Sequence, residues 1–518
     1  MPQGHRRRTI VTDRRTPDWV KDAVFYQIFP DRFARSERVG KPSNLESWDS
    51  PPTAYGFKGG DLLGIVEHLD YLADLGITAI YLNPIFQSAA NHRYHTQDYY
   101  RVDPLLGGDA AFRRLLDAAH ARGIRVVLDG VFNHASRGFY QFYHTLENGA
   151  ASPYLDWFHF DTPRLEGGRR PAAYPERREQ DGCPGAPNSQ EAFGYRAWWD
   201  LPALPEFNTD SPEVRRFLFD VSRYWLEQGI DGWRLDVPAC IDDDSFWQQF
   251  RSEVKDVNPD AYIVGEIASD ATRWLQGDQF DGVMNYLFTR ACLGFFGGAA
   301  VDSELLPPPL RPLDTPLGAA SFARRIEHLL EMYPPEATLA QLNLLGSHDT
   351  PRFLTLVQER KAVLRLAVVF QMTYPGAPSI YYGDEIGMLG GPDPDCRRAF
   401  PWDESCWDHE LRGFFQRCIA LRKAHPALRR GRLVTLHAGD GLLVYLRSLA
   451  QDRLVITINN SATTHRLEVP VGDHLSDGTR LEDLIHEGAA RVAAGRVRGP
   501  ALAPYSASVF APEGGMRA

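Results

Sequence analysis

Three carboxylates in this chain each close a short apolar run: Asp236 in G-W-R-L-D-V, Glu266 in Y-I-V-G-E-I and Asp349 in L-L-G-S-H-D. A strand buried on both faces reads as a continuous apolar run. An acid where such a run stops lands at the rim of the sheet, where an α/β barrel keeps its active site. Three acids at successive rims suit a reaction that needs one carboxylate ionised and another protonated. Hydrolysis of a glycosidic bond is such a reaction. Arg234 lies two residues before Asp236, hence on the same face of an extended run, and its fixed charge favours an ionised Asp236. An isolated R-x-D is more often a strand-end ion pair. Crowding of Glu266 by two other carboxylates raises its pKa, as a general acid requires.

Acids so placed need strands to carry them. Apolar strand-like runs at 24–30, 79–84, 125–131, 232–237, 262–267, 282–286, 344–349 and 379–383 alternate with amphipathic stretches at 112–122, 214–228 and 362–372. That alternation is the signal for βα units and a parallel sheet, and eight strands close a barrel. The spacing breaks once. About a hundred residues separate the third and fourth strands where a βα unit needs roughly 30, and 133–200 is rich in Pro, Gly, Arg and aromatics, most of all 164–188. After about residue 430 the pattern turns to short alternating strands at 442–449, 454–459, 465–469 and 507–510, with turn signals at Gly439, Asp440 and Asn459, Asn460. The expected fold is α/β: a (β/α)8 TIM barrel over 1–132 and 201–430, an inserted subdomain after strand 3 over 133–200, and a C-terminal antiparallel β-sandwich over 431–518.

Composition narrows the partners. The 518 residues are 43% hydrophobic and 24% charged, with net charge −11 and pI about 5.8, which argues against nucleic acid or an anionic membrane. The run Arg6, Arg7, Arg8 reads as a solvated tail. The first 25 residues hold no signal-peptide core, and no stretch approaches the ~18 apolar residues of a membrane span, so a cytoplasmic protein is expected. Six scattered cysteines, Cys183, Cys240, Cys292, Cys396, Cys406 and Cys418, read as free thiols.

Six motifs stand in order at the proposed strand ends: D-G-V-F-N-H (129–134), L-P-E-F-N (204–208), G-W-R-L-D-V (232–237), V-G-E-I (264–267), L-G-S-H-D (345–349) and P-S-I-Y-Y-G-D-E (378–385). Together they resemble the α-amylase family of glycoside hydrolases over nearly the whole chain from Trp19. The stretches D-W-V-K-D-A-V-F-Y-Q-I-F-P-D-R-F, F-Q-S-A-A-N-H-R-Y-H-T-Q-D-Y and D-P-D-C-R-R resemble its neopullulanase, maltogenic amylase and cyclomaltodextrinase branch. Members of that branch usually carry an extra N-terminal β-domain, whereas about twenty residues precede the barrel here. The V-P-A-C after Leu235-Asp236 departs from their pattern, so acceptor-side contacts do not transfer to Ala239 and Cys240.

The resemblance implies a retaining double displacement, with Asp236 as nucleophile, Glu266 as acid/base and Asp349 stabilising the oxocarbenium-like transition state. It implies that His348 and His134 donate to hydroxyls of the same sugar, that Tyr94 is the platform beneath it, and that Asp393 and Arg397 grip the next sugar on the non-reducing side. Asp98 holds either its loop or Arg234, Trp274 either lines the acceptor side or packs, and Asp129 and Asn133 are architectural. No cofactor is needed for the chemistry. Asn133 is the position of a calcium ligand in calcium-dependent relatives, which leaves a structural calcium open, although the loop after Asp31-Arg32-Phe33 lacks their Asn/Asp-rich run. Val237 resembles enzymes that take α-1,6 as well as α-1,4 bonds. The expected activity is hydrolysis of α-glucan oligosaccharides, meaning maltodextrins, pullulan or cyclodextrins, with some transglycosylation. An exo-acting α-glucosidase is the alternative; a glucosyltransferase, an isomerase or a non-enzymatic transporter partner fits less well. The protein is expected to act as a monomer or homodimer.

Overall fold

The computed structural model describes residues 15–171, 174, 189–307, 310–311 and 316–514. The Arg6–Arg8 run, Cys183 and residues 175–188 of the Pro/Gly/Arg-rich stretch lie outside the described residues.

Eight parallel strands form the first sheet: β1 (Phe25–Ile28), β2 (Ala79–Leu82), β3 (Arg125–Gly130), β4 (Gly232–Leu235), β5 (Tyr262–Gly265), β6 (Gly282–Val283), β7 (Leu342–Leu344) and β8 (Ala377–Tyr381). They pair in the order β6-β5-β4-β3-β2-β1-β8-β7, and a parallel bridge from Met284 to Leu342 joins the two ends. The sheet is therefore a closed barrel. Its strands are buried on both faces, as helices outside and side chains inside require. Packing is tight enough to dictate residue type: a Cβ on Gly232 would stand 2.3 Å from the Tyr262 carbonyl oxygen. The helices Gly108–His120, Pro212–Glu227 and Lys361–Thr373 match the amphipathic stretches, and each bears its apolar residues inward.

Two barrel strands begin earlier than the apolar pattern indicates. β7 ends at Leu344, so the expected run at 344–349 is mostly a turn and Asp349 lies five residues past its strand. The reason is a polar residue inside the core. Asn343 is fully buried, donating to the Pro375 carbonyl at 2.8 Å and accepting from Asn285 Nδ2 at 2.9 Å. A satisfied amide of this kind is invisible to an apolar pattern.

Between β3 and β4 the chain builds short helices at Tyr140–Asn148, Thr162–Glu166 and Ser189–Phe193. Its core is aromatic: Phe142 packs on Phe158 at 5.1 Å and on Tyr195 at 4.9 Å, and Phe158 stacks on Phe207 at 5.1 Å. A second insertion, after β2, is an antiparallel hairpin of Phe86–Ser88 with Thr96–Val102, and its turn carries Tyr94.

The C-terminal strands are β9 (Arg432–Gly439), β10 (Leu442–Leu449), β11 (Asp452–Asn459), β12 (His465–Pro470), β13 (Arg480–Asp483), β14 (Ala489–Ala493), β15 (Arg496–Leu502) and β16 (Ser506–Pro512). They form one antiparallel sheet, β9-β10-β11-β16-β13-β14-β15-β12. The sheet doubles over a second core in which Leu442, Val444 and Phe510 meet Leu467, Val469 and Val497. Alternate residues, Leu443, Tyr445, Ile456, Ile458 and Val509, join the barrel's own core instead, as the period-two geometry of a strand dictates.

Candidate active site

Parallel register brings the charged residues together. Asp129 on β3 pairs with Arg234 on β4, which pairs with Val264 on β5, so neighbouring side chains of one level face the barrel interior. Asp236 and Glu266 each hang one residue past their strands; their backbone N–H groups donate to the Gly130 and Leu235 carbonyls at 3.0 Å. Both acids thus sit at the C-terminal rim.

Arg234 is the hub. Its side chain is fully buried, and Nη1 lies 2.9 Å from both Asp129 Oδ1 and Asp236 Oδ1 while Nη2 lies 2.9 Å from Glu266 Oε2. Glu266 Oε2 also accepts the Val237 N–H at 3.1 Å. Val237 reaches that position with φ 37°, ψ 48°, a left-handed conformation that a β-branched residue adopts only under strain. The strain turns the chain sharply after Asp236 and aims the amide at Glu266.

One guanidinium faces three carboxylates, and burial opposes it at each of them. Burial pushes Asp236 well above the usual carboxylate range, with Arg234 pulling the other way. Burial likewise raises Asp129 to about 6, against Arg234, Tyr81 and Tyr94. Glu266 is raised first by burial, with Arg234 opposing and Asp349 adding to the rise. Arg234 favours the ionised form of Asp236, as its charge leads one to expect, and burial opposes it. At Glu266 burial is the larger cause of the rise and the neighbouring Asp349 adds to it. The acids share one guanidinium, and their protons belong to the group as a whole.

A chain of hydrogen bonds through Tyr94 leads from this cluster to His348, which lies beside the third acid. Gln27 Nε2 donates to His348 Nδ1 at 2.8 Å, which leaves the proton on Nε2. Nε2 stands 2.7 Å from the Tyr94 hydroxyl and 3.2 Å from Asp349 Oδ2. Tyr94 in turn donates to Asp129 Oδ2 at 2.9 Å, beside Tyr81 at 2.7 Å. Burial lowers His348 well below its ordinary value, aided by Arg397 and Arg234, so the imidazole is neutral. The Tyr94 and His348 rings are parallel within 7° at 5.5 Å. Asp349 is 38% exposed, the most open of the three acids. Arg397 holds it at 3.2 Å and itself pairs with Asp393 at 3.0 Å.

Of the residues singled out from sequence, Asp236, Glu266, Asp349, Arg234, Asp129, Tyr94, His348, Arg397 and Asp393 form this connected network. His134 is buried nearby, its pKa pushed down to about 3 by burial and the neighbouring His95. Asp98 does not reach Arg234: it accepts the Tyr100 N–H at 2.8 Å within the hairpin. Of its two alternatives, the loop is the one the structure shows, and Asp129 occupies the place beside Arg234. Trp274 packs under the Arg273 guanidinium at 5.4 Å and against the main core. Asn133 Nδ2 faces His134 Nδ1 at 3.4 Å, and among the described residues no three or more His, Cys, Asp or Glu side chains gather as metal ligands. Sequence reasoning missed Gln27, which sets the His348 tautomer, and Trp198, which stacks on His134 at 5.1 Å. The W-W pair in an otherwise loop-like stretch was the available signal for the second.

Residues 27–430 match the family described as alpha amylase, catalytic domain, and residues 433–511 the one described as neopullulanase-like, C-terminal domain. The chain is 44% identical over 459 residues to a cyclomaltodextrinase of Geobacillus thermopakistaniensis, covering 88% of this chain and 71% of that one. It is 43% identical over 462 residues to neopullulanase 2 of Thermoactinomyces vulgaris, covering 88% and 72%. Among solved structures, the debranching enzyme of Nostoc punctiforme superimposes with a TM-score of 0.83 at 45% identity, over 96% of this chain and 99% of that one. No helix among the described residues is long and apolar enough to cross a membrane.

Proposed function

The chain belongs to the α-amylase family of glycoside hydrolases, and from that premise we propose that it cleaves α-1,4 and some α-1,6 glucosidic bonds of maltodextrins by a retaining double displacement, with some transglycosylation. The observation that carries this reading is Arg234 contacting Asp129, Asp236 and Glu266 at once. It holds two rim acids from adjacent strands in one cluster, close enough for one to attack the anomeric carbon while the other serves the leaving oxygen.

In this mechanism Asp236 attacks the anomeric carbon and the bond to the leaving oxygen breaks, with the Glu266 proton passing to that oxygen. Glu266, now ionised, takes a proton from water, and the resulting oxygen nucleophile releases the sugar from Asp236. A saccharide hydroxyl in place of that water gives transglycosylation. Asp349 and the His348 Nε2–H hydrogen-bond the hydroxyls of the reacting sugar, strengthening as the ring approaches the oxocarbenium ion. Tyr94, tied at its hydroxyl, offers its ring as the floor beneath that sugar. Arg397 and Asp393 continue the site on the non-reducing side. Val237, immediately past the nucleophile, supports tolerance of α-1,6 bonds, though one side chain contributes only about 1–3 kcal/mol to such discrimination. A cytoplasmic site of action belongs to the same reading, supported by the five described cysteines all being free thiols.

The test is the product profile from maltotriose, pullulan and β-cyclodextrin, beside an Asp236→Asn control. Panose from pullulan and maltose from cyclodextrin are expected. Glucose alone from maltotriose, with the other two untouched, would replace this reading by an exo-acting α-glucosidase.

A further inference from the structure

The segment joining β1 to the helix Leu62–Glu67 is built around two lysine side chains turned inward. Lys58 is fully buried, and its ammonium donates to the Ser47 carbonyl at 2.6 Å, the Ser50 carbonyl at 2.7 Å and the Ser50 hydroxyl at 2.6 Å. Glu46 Oε2 stands 3.4 Å away as the counter-charge. An ammonium has three protons, and this cage uses all of them. The cage is closed at its base by the Glu46 N–H, which donates to the Phe57 carbonyl at 2.9 Å. Lys41 is the second cation. Its ammonium donates to the Leu105 carbonyl at 2.6 Å and pairs with Asp61 Oδ2 at 3.1 Å. Asp61 is fully buried, and its other oxygen caps the helix by accepting the Gly64 N–H at 2.8 Å.

A buried charge is stable only where it is paired and hydrogen-bonded. Carbonyl, hydroxyl and carboxylate oxygens converging on one point are the ligands of a hard cation such as calcium. This is also the stretch where calcium-dependent relatives carry an Asn/Asp-rich run. Here the converging oxygens already accept ammonium protons, and a divalent ion beside either lysine would meet like charge. Calcium therefore does not fit these two cages. The segment they order reaches the active site. Arg32 donates to the Gly56 carbonyl at 2.7 Å and to the Arg397 carbonyl at 3.3 Å, and Arg397 holds both Asp349 and Asp393.

We propose that Lys58 and Lys41 are this chain's own cations for the segment 34–61. They order it without a metal ion, and through Arg32 they keep Arg397 in place against Asp349.

Hydrogen exchange, read by mass spectrometry over peptides from 34–61, tests the cations directly. In the wild type, protection there should be the same in EDTA as in millimolar calcium. Lys58→Met keeps the stem and removes the charge with its three donors. Exchange across 46–58 should then become about tenfold faster or more, and KM for maltotriose should rise about three- to tenfold with a smaller change in kcat. Lys41→Met should loosen 34–42 and 103–107 in the same way. Wild-type protection that falls in EDTA and returns with calcium would overturn the proposal, and so would Met variants as well protected as the wild type. Should a variant not fold, the wild-type comparison decides. Lost protection with an unmoved KM would overturn the link to Arg397. Only the kinetic arm rests on the glycosidase reading: a wild type that leaves maltotriose intact fails that reading, and exchange alone still decides the role of the lysines.

Discussion

Arg234→Lys keeps the positive charge and removes the fork, and the structure says what that should do. The guanidinium spends two nitrogens on three carboxylates, each at 2.9 Å. An ammonium is a single point on a flexible stem and can stay with one of them. Two charge-assisted contacts are then lost, at about 1.5–3 kcal/mol each, so transition-state stabilisation should drop by about 3–6 kcal/mol. That is roughly a 10²- to 10⁴-fold fall in kcat/KM. The pH profile carries the finer signature. Arg234 pulls Asp236 and Glu266 down against their burial, so a weaker partner lets both rise. The acid limb of kcat/KM reports the carboxylate that must be ionised and should move to higher pH. Initial rates on maltotriose from about pH 4 to pH 8, with circular dichroism to show an intact fold, measure both effects. A variant with near-normal kcat/KM and an unmoved acid limb would show that Arg234 is a strand-end ion pair and nothing more.

Two further outcomes follow from the same site and its scaffold. Glu266→Gln should lose about 10²- to 10⁴-fold on maltotriose but far less in glycosyl-enzyme formation from α-maltosyl fluoride, whose leaving group needs little protonation; Asp236→Asn should lose activity on both. Equal losses on both substrates in the Gln variant would remove Glu266 as the acid. Away from the site, burial raises the buried Asp281, but Lys255 and Arg251 more than offset this and lower it below 3.8. A depressed carboxylate stabilises the fold above its unfolded pKa, and that stability disappears as pH falls through the folded value. Asp281→Asn should therefore cost about 3–5 kcal/mol at pH 7, with the gap to wild type closing below about pH 3.8. Urea denaturation at pH 7 and pH 3 decides it, and an equal gap at both would refute the ion-pair account.

The acids were legible because each ends an apolar run, and the βα rhythm around them points to a barrel. Their partnership was not. Sequence pairs Arg234 with Asp236 at i, i+2, but Asp129 and Glu266 reach it through inter-strand register, which one strand's sequence does not encode. Asn343 hid the true start of β7 for a related reason, since a satisfied polar side chain in a core interrupts the pattern without interrupting the strand. Of the C-terminal strands, β9, β13, β14 and β15 escaped notice because they are half-polar, with Arg432, Arg480, Arg491 and Arg498 on exposed positions. Trp198 belongs to a loop whose place beside His134 is set by a bridge between His134 and Glu206, residues far apart in sequence.

The alternation of the C-terminal sheet bears on how the chain is made. Leu443, Tyr445, Ile456 and Val509 complete the barrel's own core, and Tyr445 packs on Phe370 at 6.0 Å. The last barrel strand ends at Tyr381, so on the ribosome all eight strands emerge while that apolar outer surface still lacks its cover. The nascent barrel must wait, exposed, until β16 is synthesised. A truncation between the two units would make that waiting state permanent, and such a fragment should be captured by chaperones or aggregate, not persist as a smaller enzyme.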